Sequence, residues 1–186
     1  IYKSHFKNGG NYVNYVPLTE GGEMLILCHG AWMNEMNSFI EWKARRGIHC
    51  EMVDIATIGN NTTAIQSYIA SYYNSHNLKY VLIVGDVQYV TTPQLSGGAS
   101  DPSYGYITGN DSYAEVIVGR FSAESAADVQ SLVQRSIDYE LNPTPLGTWY
   151  KKGVGLASNQ GPGDDNEMDY EHVRNIRSNL MNFGFS

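Results

Sequence analysis

The stretch KYVLIVGD (79–86) decides the fold prediction. Its Val, Leu and Ile follow one another without a polar interruption, which is typical of a parallel strand covered on both faces. Two apolar stretches precede it, MLILC (24–28) and IHCEMVDI (48–55), and each is predicted to be a further strand. The segments between these strands carry apolar residues at helical spacing, so the chain alternates strand and helix.

The rest of the chain continues this alternation. Ser125, with Asp128 three residues later, is typical of a capped helix start. The further predicted elements are, in chain order, a helix over 33–47 ended by Gly47, a helix capped by Thr62 or Thr63, a strand at 116–118, a helix from Ser125 to about Leu141, a strand at 153–159, and a last helix carrying Val173, Ile176 and Leu180. This order predicts an α/β fold, with a mostly parallel sheet and helices on both faces.

Composition narrows the functional classes. The chain has 186 residues, 42% of them hydrophobic, which suits one soluble domain with a sizeable core. Its net charge of −7 argues against a nucleic-acid backbone as partner. No apolar run reaches the length of a membrane span. The sequence begins at Ile1 without a Met or a signal peptide, so we expect a processed chain or a fragment.

The two cysteines, Cys28 and Cys50, both stand in apolar runs, which favours buried free thiols over a disulfide. Cys28 is followed directly by His29. Adjacent residues on a strand point to opposite faces, so this pair is not expected to act as nucleophile and base.

Ligands of parallel sheets bind beyond the carboxyl ends of the strands. We expect three segments there: Asp86 after the strand at 79–84, the loop at 106–115, and the segment at 159–172. The loop YITGNDSYAE (106–115) holds more acid than a turn requires, because Gly109 and Asn110 already suffice for one. On spacing alone, its carboxylates fit a solvated corner or a calcium loop equally well.

The segment GPGDDNEMDYEH (161–172) carries five acids and one His in twelve residues. An acid-rich helix start is favoured by the helix dipole, so a solvated helix start explains it without a ligand. Its expected position at the ligand edge of the sheet favours a binding role. Both interpretations stay open at this point.

The stretches SFIEWKARRGIHCEM, YVLIVGD, YGYITGNDSYAEVIVGRFSAES, DYE, NEMDYEH and NFGF, in this order, resemble the catalytic domain of the gingipain cysteine peptidases. The last motif is most similar to the arginine-specific gingipains. The resemblance implies a caspase-like arrangement of two α/β subdomains, of which residues 24–186 would form the first. Residues 1–23 would then be an N-terminal extension or a link to a preceding segment, and the second subdomain would be absent from this chain.

This resemblance implies a function and its residues. The whole protein is expected to be a secreted or cell-surface, calcium-stabilised cysteine endopeptidase that cleaves proteins or peptides after Arg. Its catalytic His and Cys would lie in the second subdomain, beyond Ser186, so the chain alone would be inactive. Asp169 matches the residue that pairs with the substrate arginine. Gln160 stands where the family has an acid that orients the catalytic His.

Two calcium sites are also implied. The ligands of the first calcium site would be the carbonyls of Thr108 and Tyr113 and the carboxylates of Asp111 and Glu115. The ligands of the second calcium site would be Asp86, Glu167 and His172. The alternative function on the same fold is a catalytically degenerate binding or secretion-linked module, and a missing His or Cys downstream would favour it. The expected partners are protein or peptide substrates and the second subdomain, with no nucleic acid.

Overall fold

The computed structural model describes residues 22–109, 111–142, 147–162 and 166–186. These residues belong to two compact units, the first ending at Leu141 and the second running from Asn142 to Ser186. The expected boundary between an extension at 1–23 and a subdomain at 24–186 stays a prediction.

A parallel sheet organises the first unit. Its strands in chain order are β1 (Glu23–Cys28), β2 (Cys50–Asp54), β3 (Leu78–Val84) and β6 (Ile117–Phe121), and their spatial order is β2-β1-β3-β6. Every pairing between them is parallel. Two short strands, β4 (Gln94–Leu95) and β5 (Gly98–Ala99), form an antiparallel hairpin between β3 and β6.

Helices connect the strands. In the first unit they are α1 (Asn37–Arg45), α2 (Ile55–Ile58), α3 (Thr62–Ser75) and α4 (Ala126–Leu141), with 3-10 turns at Gly30–Met36 and Asp101–Gly105. The second unit contains a 3-10 turn at Thr148–Lys151 and α5 (Asp169–Asn182). No helix among the described residues is both long enough and apolar enough to cross a membrane.

The two central strands of the sheet, β1 and β3, are largely buried on both faces. Alternate residues of β1 enter two separate cores: Leu25 and Leu27 pack with the apolar side of α3, whereas Ile26 packs with α1 and α4. Strand residues alternate between the two faces because the side-chain period of a strand is two. The predicted α/β fold with helices on both faces is confirmed.

Helix capping is partly as predicted. Asn61, not Thr62 or Thr63, caps α3, because its Oδ1 accepts a hydrogen bond from the Ala64 N–H at 2.9 Å. Asn is a strong cap because its short side chain reaches the third amide of the helix. The cap of α4 is confirmed: the Asp128 N–H donates to Ser125 Oγ at 3.2 Å.

The strand predicted at 153–159 is wrong. This segment has no regular secondary structure, and Val154 and Leu156 are 89% and 90% exposed within the second unit. A strand needs a neighbouring strand for its backbone hydrogen bonds, and the described part of the second unit contains none. Apolar and small residues do alternate in this segment, but such alternation does not provide the neighbouring strand that a β-strand needs.

The expected position of the 106–115 loop is also wrong. Ile117, the first residue of β6, pairs with Tyr80 near the amino end of β3, and Phe121 pairs with Val84 at its carboxyl end. The loop therefore enters β6 from the amino edge of the sheet, opposite Asp86. The chain reaches that edge because the 3-10 turn at Asp101–Gly105 packs beside β6 on the way back.

The burial of α3 gives a stability prediction. Ile69 is fully buried, whereas Gln66 on the same helix is exposed. Ile69→Ala should lower the free energy of unfolding by about 2–5 kcal/mol, because it removes packed methylenes and leaves a cavity. Gln66→Ala is the control, and it should change stability by less than about 0.5 kcal/mol. Urea unfolding measures both, and equal effects would contradict the assigned core.

Candidate functional site

Asp86 lies just beyond the carboxyl end of β3, and hydrogen bonds fix the orientation of its side chain. Its Oδ1 accepts hydrogen bonds from the Val87 N–H at 2.8 Å and from Ser122 Oγ at 2.9 Å. Its own N–H donates to the Ala123 carbonyl at 2.8 Å. The Val87 amide and the Ser122 hydroxyl lower the pKa of Asp86, so the carboxylate is ionised at neutral pH. Within the described residues no hydrogen bond reaches Oδ2, which leaves that oxygen available to a ligand.

Arg120 of β6 ties this edge together. Its Nε and Nη2 donate to the two carboxylate oxygens of Asp101 at 2.7 and 2.6 Å. Its Nη1 donates to the carbonyls of Gly85 and Val90 at 2.6 and 2.9 Å. The Arg120 side chain is only 9% exposed, so these contacts are shielded from water. We call Arg120, Asp101 and the two carbonyls the arginine clamp.

The ends of β1 and β3 meet where the strand order reverses, which is the usual ligand crevice of such sheets. Here aromatic rings fill it: the His29 ring lies 4.8 Å from Trp32 and 5.1 Å from Tyr89, and Trp32 lies 4.6 Å from Tyr89, each between centroids. Trp32 is buried. The crevice is therefore packed with protein side chains.

Neither cysteine is an activated thiol. Cys28 is fully buried and donates to the His29 carbonyl, and burial, with a smaller contribution from Asp54, raises its pKa to about 12. Burial also raises the pKa of Cys50. Thiolates rather than thiols act as nucleophiles, so neither residue suits that role. The expectation that Cys28 and His29 form no dyad agrees with this geometry.

The loop at 106–115 is closed by hydrogen bonds to the side chain of Glu115. Its Oε2 accepts from the N–H groups of Ile107 at 2.7 Å and Thr108 at 3.2 Å, and its Oε1 accepts from Thr108 Oγ1. The Thr108 hydroxyl, followed by these two amides, lowers the pKa of Glu115 to about 2. Asp111 is exposed, and its Oδ1 accepts from the Tyr113 N–H at 3.0 Å. Both carboxylates therefore belong to one compact loop.

The donors of this loop suit calcium in kind. Carboxylate and carbonyl oxygens are the ligands that calcium prefers. Glu115 Oε1 accepts a single hydrogen bond and keeps acceptor capacity, and no hydrogen bond from a described residue reaches Asp111 Oδ2. Across residues 22–109, 111–142, 147–162 and 166–186, no three His, Cys, Asp or Glu side chains group together. A calcium ion here would therefore depend on the carbonyls of Thr108 and Tyr113 as well.

Asp169 is the first residue of α5. Ser158 Oγ donates to its Oδ2, and its own N–H donates to the Gln160 carbonyl at 3.0 Å. The Gln160 N–H donates to Ser158 Oγ at 3.0 Å. Asp169 and Gln160 are both exposed within the second unit. The turn before α5 therefore brings these two predicted site residues together and holds the Asp169 carboxylate at the helix start.

Glu167 and His172 also lie together. His172 Nδ1 is 3.3 Å from Glu167 Oε2, and Asn175 Nδ2 donates to Glu167 Oε1 at 2.7 Å. Asp86, the third residue of that expected calcium site, belongs to the first unit. The second unit thus pairs two of the three residues by itself, and the full set stays a prediction.

The second unit also contains a groove of about 710 Å³ between α5 and the segment at 153–157. Its walls are mainly apolar, and the described side chains that line it include Arg174 and Arg177 but no Asp or Glu. Asp169 does not line it.

Sequence reasoning missed the arginine clamp and Ser122. A signal was present, because an Arg inside a strand of a sheet covered on both faces must find acceptors. Asp101, in the polar loop after β3, was the available partner, but spacing along the chain did not connect the two.

Known proteins are similar to this chain in sequence. Residues 18–184 match Peptidase family C25. The chain belongs to this family. It is 35% identical over 194 residues to Gingipain R2 of Porphyromonas gingivalis, which covers 100% of the chain and 26% of that relative. It is 22% identical over 143 residues to Lys-gingipain of the same organism, covering 72% of the chain and 8% of the relative.

A solved structure of a relative has the same fold as this chain. The crystal structure of the Arg-specific cysteine proteinase gingipain R superposes with a TM-score of 0.78 at 33% identity, over 92% of this chain and 42% of that one. The resemblance to the gingipains is confirmed, and the caspase-like fold class with it. The chain spans about a quarter of the length of Gingipain R2.

The pKa of Asp101 gives a pH prediction for the clamp. The hydrogen bonds from Arg120 lower that pKa below 3.8, so the stabilisation is present above about pH 4 and is lost as pH falls through the native pKa. Asp101→Asn should cost about 2–4 kcal/mol at about pH 7, because the buried guanidinium loses its counter-charge.

The difference from the wild type should shrink at about pH 3, because this lies below the ordinary pKa of an aspartate, so the carboxylate is then protonated in the unfolded chain and the charged clamp stabilises the fold less. Urea unfolding at the two pH values measures it, with exposed Asp138→Asn as the matched control. A gap of equal size at both pH values would contradict the charged clamp.

Proposed function

We propose that the whole protein is a secreted or cell-surface cysteine endopeptidase that cleaves after Arg, and that this chain supplies the acid that recognises the substrate arginine. The observation that carries the proposal is Asp169, an exposed carboxylate fixed at the start of α5 by Ser158. Membership of Peptidase family C25 and 35% identity to Gingipain R2 support the reaction class.

The nucleophile comes from outside this chain in this proposal, because Cys28 is buried, Cys50 is half-buried and both thiols have raised pKa values. In the reaction, a thiolate attacks the scissile carbonyl carbon and forms a tetrahedral intermediate. The imidazole of a His then gives its proton to the leaving amine, and a thioester remains. Water, deprotonated by the same imidazole, hydrolyses the thioester and restores the thiol. None of these steps uses Cys28, Cys50 or His29.

Asp169 selects the substrate by charge and shape. Its Oδ2 accepts from Ser158, and no described residue donates to its Oδ1. A guanidinium is planar and offers two parallel N–H donors, so it can bind a carboxylate through both oxygens. The ammonium of Lys is a point charge and forms no such fork. The proposal therefore includes a preference for Arg over Lys.

The test is Asp169→Asn in the full-length protein, assayed on paired Arg and Lys peptides. The change keeps the shape of the side chain and removes its charge, so kcat/KM for the Arg peptide should fall roughly 100-fold. Thermal stability should stay close to that of the wild type, because Asp169 is exposed. Asp138→Asn controls for net charge. Unchanged Arg cleavage by Asp169→Asn would refute the role of this residue.

Calcium stabilises the domain in this proposal. Asp111 and Glu115, with the carbonyls of Thr108 and Tyr113, would hold one ion at the amino edge of the sheet. Asp86, Glu167 and His172 would contribute to a second, in which His172 is an unusual ligand for a hard cation. A bound ion would cross-link loops of the native state and so raise the free energy of unfolding.

The amino-edge site gives its own prediction. Saturating calcium should raise the melting temperature of the wild type by roughly 5–10 °C, and Asp111→Asn should lose most of that gain. Arg cleavage below the melting temperature should change little, because the loop enters β6 at the edge opposite Asp86. Glu124→Gln, an exposed acid beyond the other end of β6, is the control. A melting temperature indifferent to calcium and to a chelator would refute the site.

A second function has one observation in its favour. Gln160 stands where the resemblance places an acid that orients the catalytic His. A glutamine side chain accepts a hydrogen bond but does not stabilise an imidazolium by charge. A degenerate module that binds peptides without cleaving them would tolerate it. Absence of any Arg cleavage by the full-length wild type, together with retained binding of an arginyl peptide, would favour this second function.

A further inference from the structure

The end of β6 controls the loop that carries Asp86. Arg120 Nη1 donates to the carbonyls of Gly85 and Val90, the residues that flank the turn 86–89 on both sides. The turn closes on the Asp86 carbonyl, which accepts from the N–H groups of Tyr89 and Val90 at 2.8 and 2.9 Å. A single buried guanidinium therefore sets the distance between the two ends of this turn.

The side chain of Asp86 is set by the same strand end. Ser122, two residues after Arg120, donates to Asp86 Oδ1, and the Gly85 N–H donates to the Phe121 carbonyl at 2.9 Å. The end of β6 therefore fixes both the backbone and the side chain of Asp86. Oδ1 is used by these contacts, and Oδ2 is presented to solvent without a hydrogen bond from a described residue.

The charges of the arginine clamp suit a cation beside Asp86. The Arg120 guanidinium is matched by the Asp101 carboxylate through two hydrogen bonds, so the pair carries no net charge. An unpaired guanidinium at this position would repel a bound cation and compete for Asp86. The charge of Asp101 acts on Asp86 in the opposite direction to that of Arg120, so the pairing offsets part of this repulsion.

We propose that Arg120 and Ser122 are positioning residues that orient the Asp86 carboxylate for binding a divalent cation. This inference rests on the proposed calcium site at Asp86 and assigns two residues to it that do not touch the ion. Outer residues of this kind commonly change metal affinity by roughly 10–100-fold when they are replaced.

The experiment measures calcium affinity of the full-length protein by calorimetry, with metal-free stability measured in parallel. Asp86→Asn identifies the binding step that involves Asp86. Arg120→Lys keeps the charge but loses most of the four hydrogen bonds, and it should weaken that step roughly 10-fold. Exposed Arg135→Lys on α4 is the matched control and should leave it unchanged.

A double-mutant cycle separates positioning from general destabilisation. In the Asp86→Asn background, Arg120→Lys should still lower metal-free stability but should have no further effect on calcium affinity. Lowered stability with unchanged calcium affinity in the single variant would overturn the proposal. If Asp86→Asn itself leaves every binding step unchanged, the calcium site at Asp86 is refuted, and the positioning role is overturned with it.

Ser122→Ala keeps the test decisive if Arg120→Lys does not fold. Ser122 is exposed, so its replacement should leave metal-free stability close to that of the wild type. It removes one of the two donors to Asp86 Oδ1 and should weaken the same binding step by a smaller factor than Arg120→Lys. Full wild-type affinity in Ser122→Ala would overturn the positioning role of the strand end.

Discussion

The arginine clamp is the interaction on which the first unit depends at the carboxyl edge of its sheet. Arg120 comes from β6, Gly85 and Val90 follow β3, and Asp101 lies on the return path to β6. One side chain thus joins the end of β6 to both ends of the turn after β3 and to the return path at Asp101. A guanidinium suits the task because it offers five donors in a fixed plane and stays charged when buried. The cost of burying it is offset only while all its acceptors are present.

The fold of the first unit was predictable because its signals are local. The apolar runs of β1 and β3 and the helical spacing of α3 specify element type without reference to the rest of the chain. The cap of α3 was misassigned because Asn61 and the two threonines after it are all acceptable caps, and the backbone geometry decides among them. The segment at 153–159 failed for a different reason, since a strand exists only with a partner.

The candidate site was predictable only in part, because its residues meet through long-range contacts. Asp86 could be placed at the carboxyl edge, as it directly follows a buried strand. The loop at 106–115 was placed at the wrong edge, although a segment that leads directly into a strand of a parallel sheet must lie at the amino edge of that sheet. Arg120 and Asp101 are 19 residues apart and joined by an irregular path. No periodicity links them, although the charge of a largely buried Arg side chain required a partner.

The position of β6 has a consequence for local opening of the fold. With β2, it is one of the two edge strands of the sheet among the described residues, and edge strands usually fray first. Here it is anchored at both ends, by the Glu115 loop where it begins and by Arg120 where it finishes. Those amides of β6 that donate to β3 should therefore exchange with solvent only when the loop or the turn after β3 opens as well. Slow hydrogen exchange at the margin of the sheet, correlated with exchange at residues 85–90, is the dynamic signature of this arrangement.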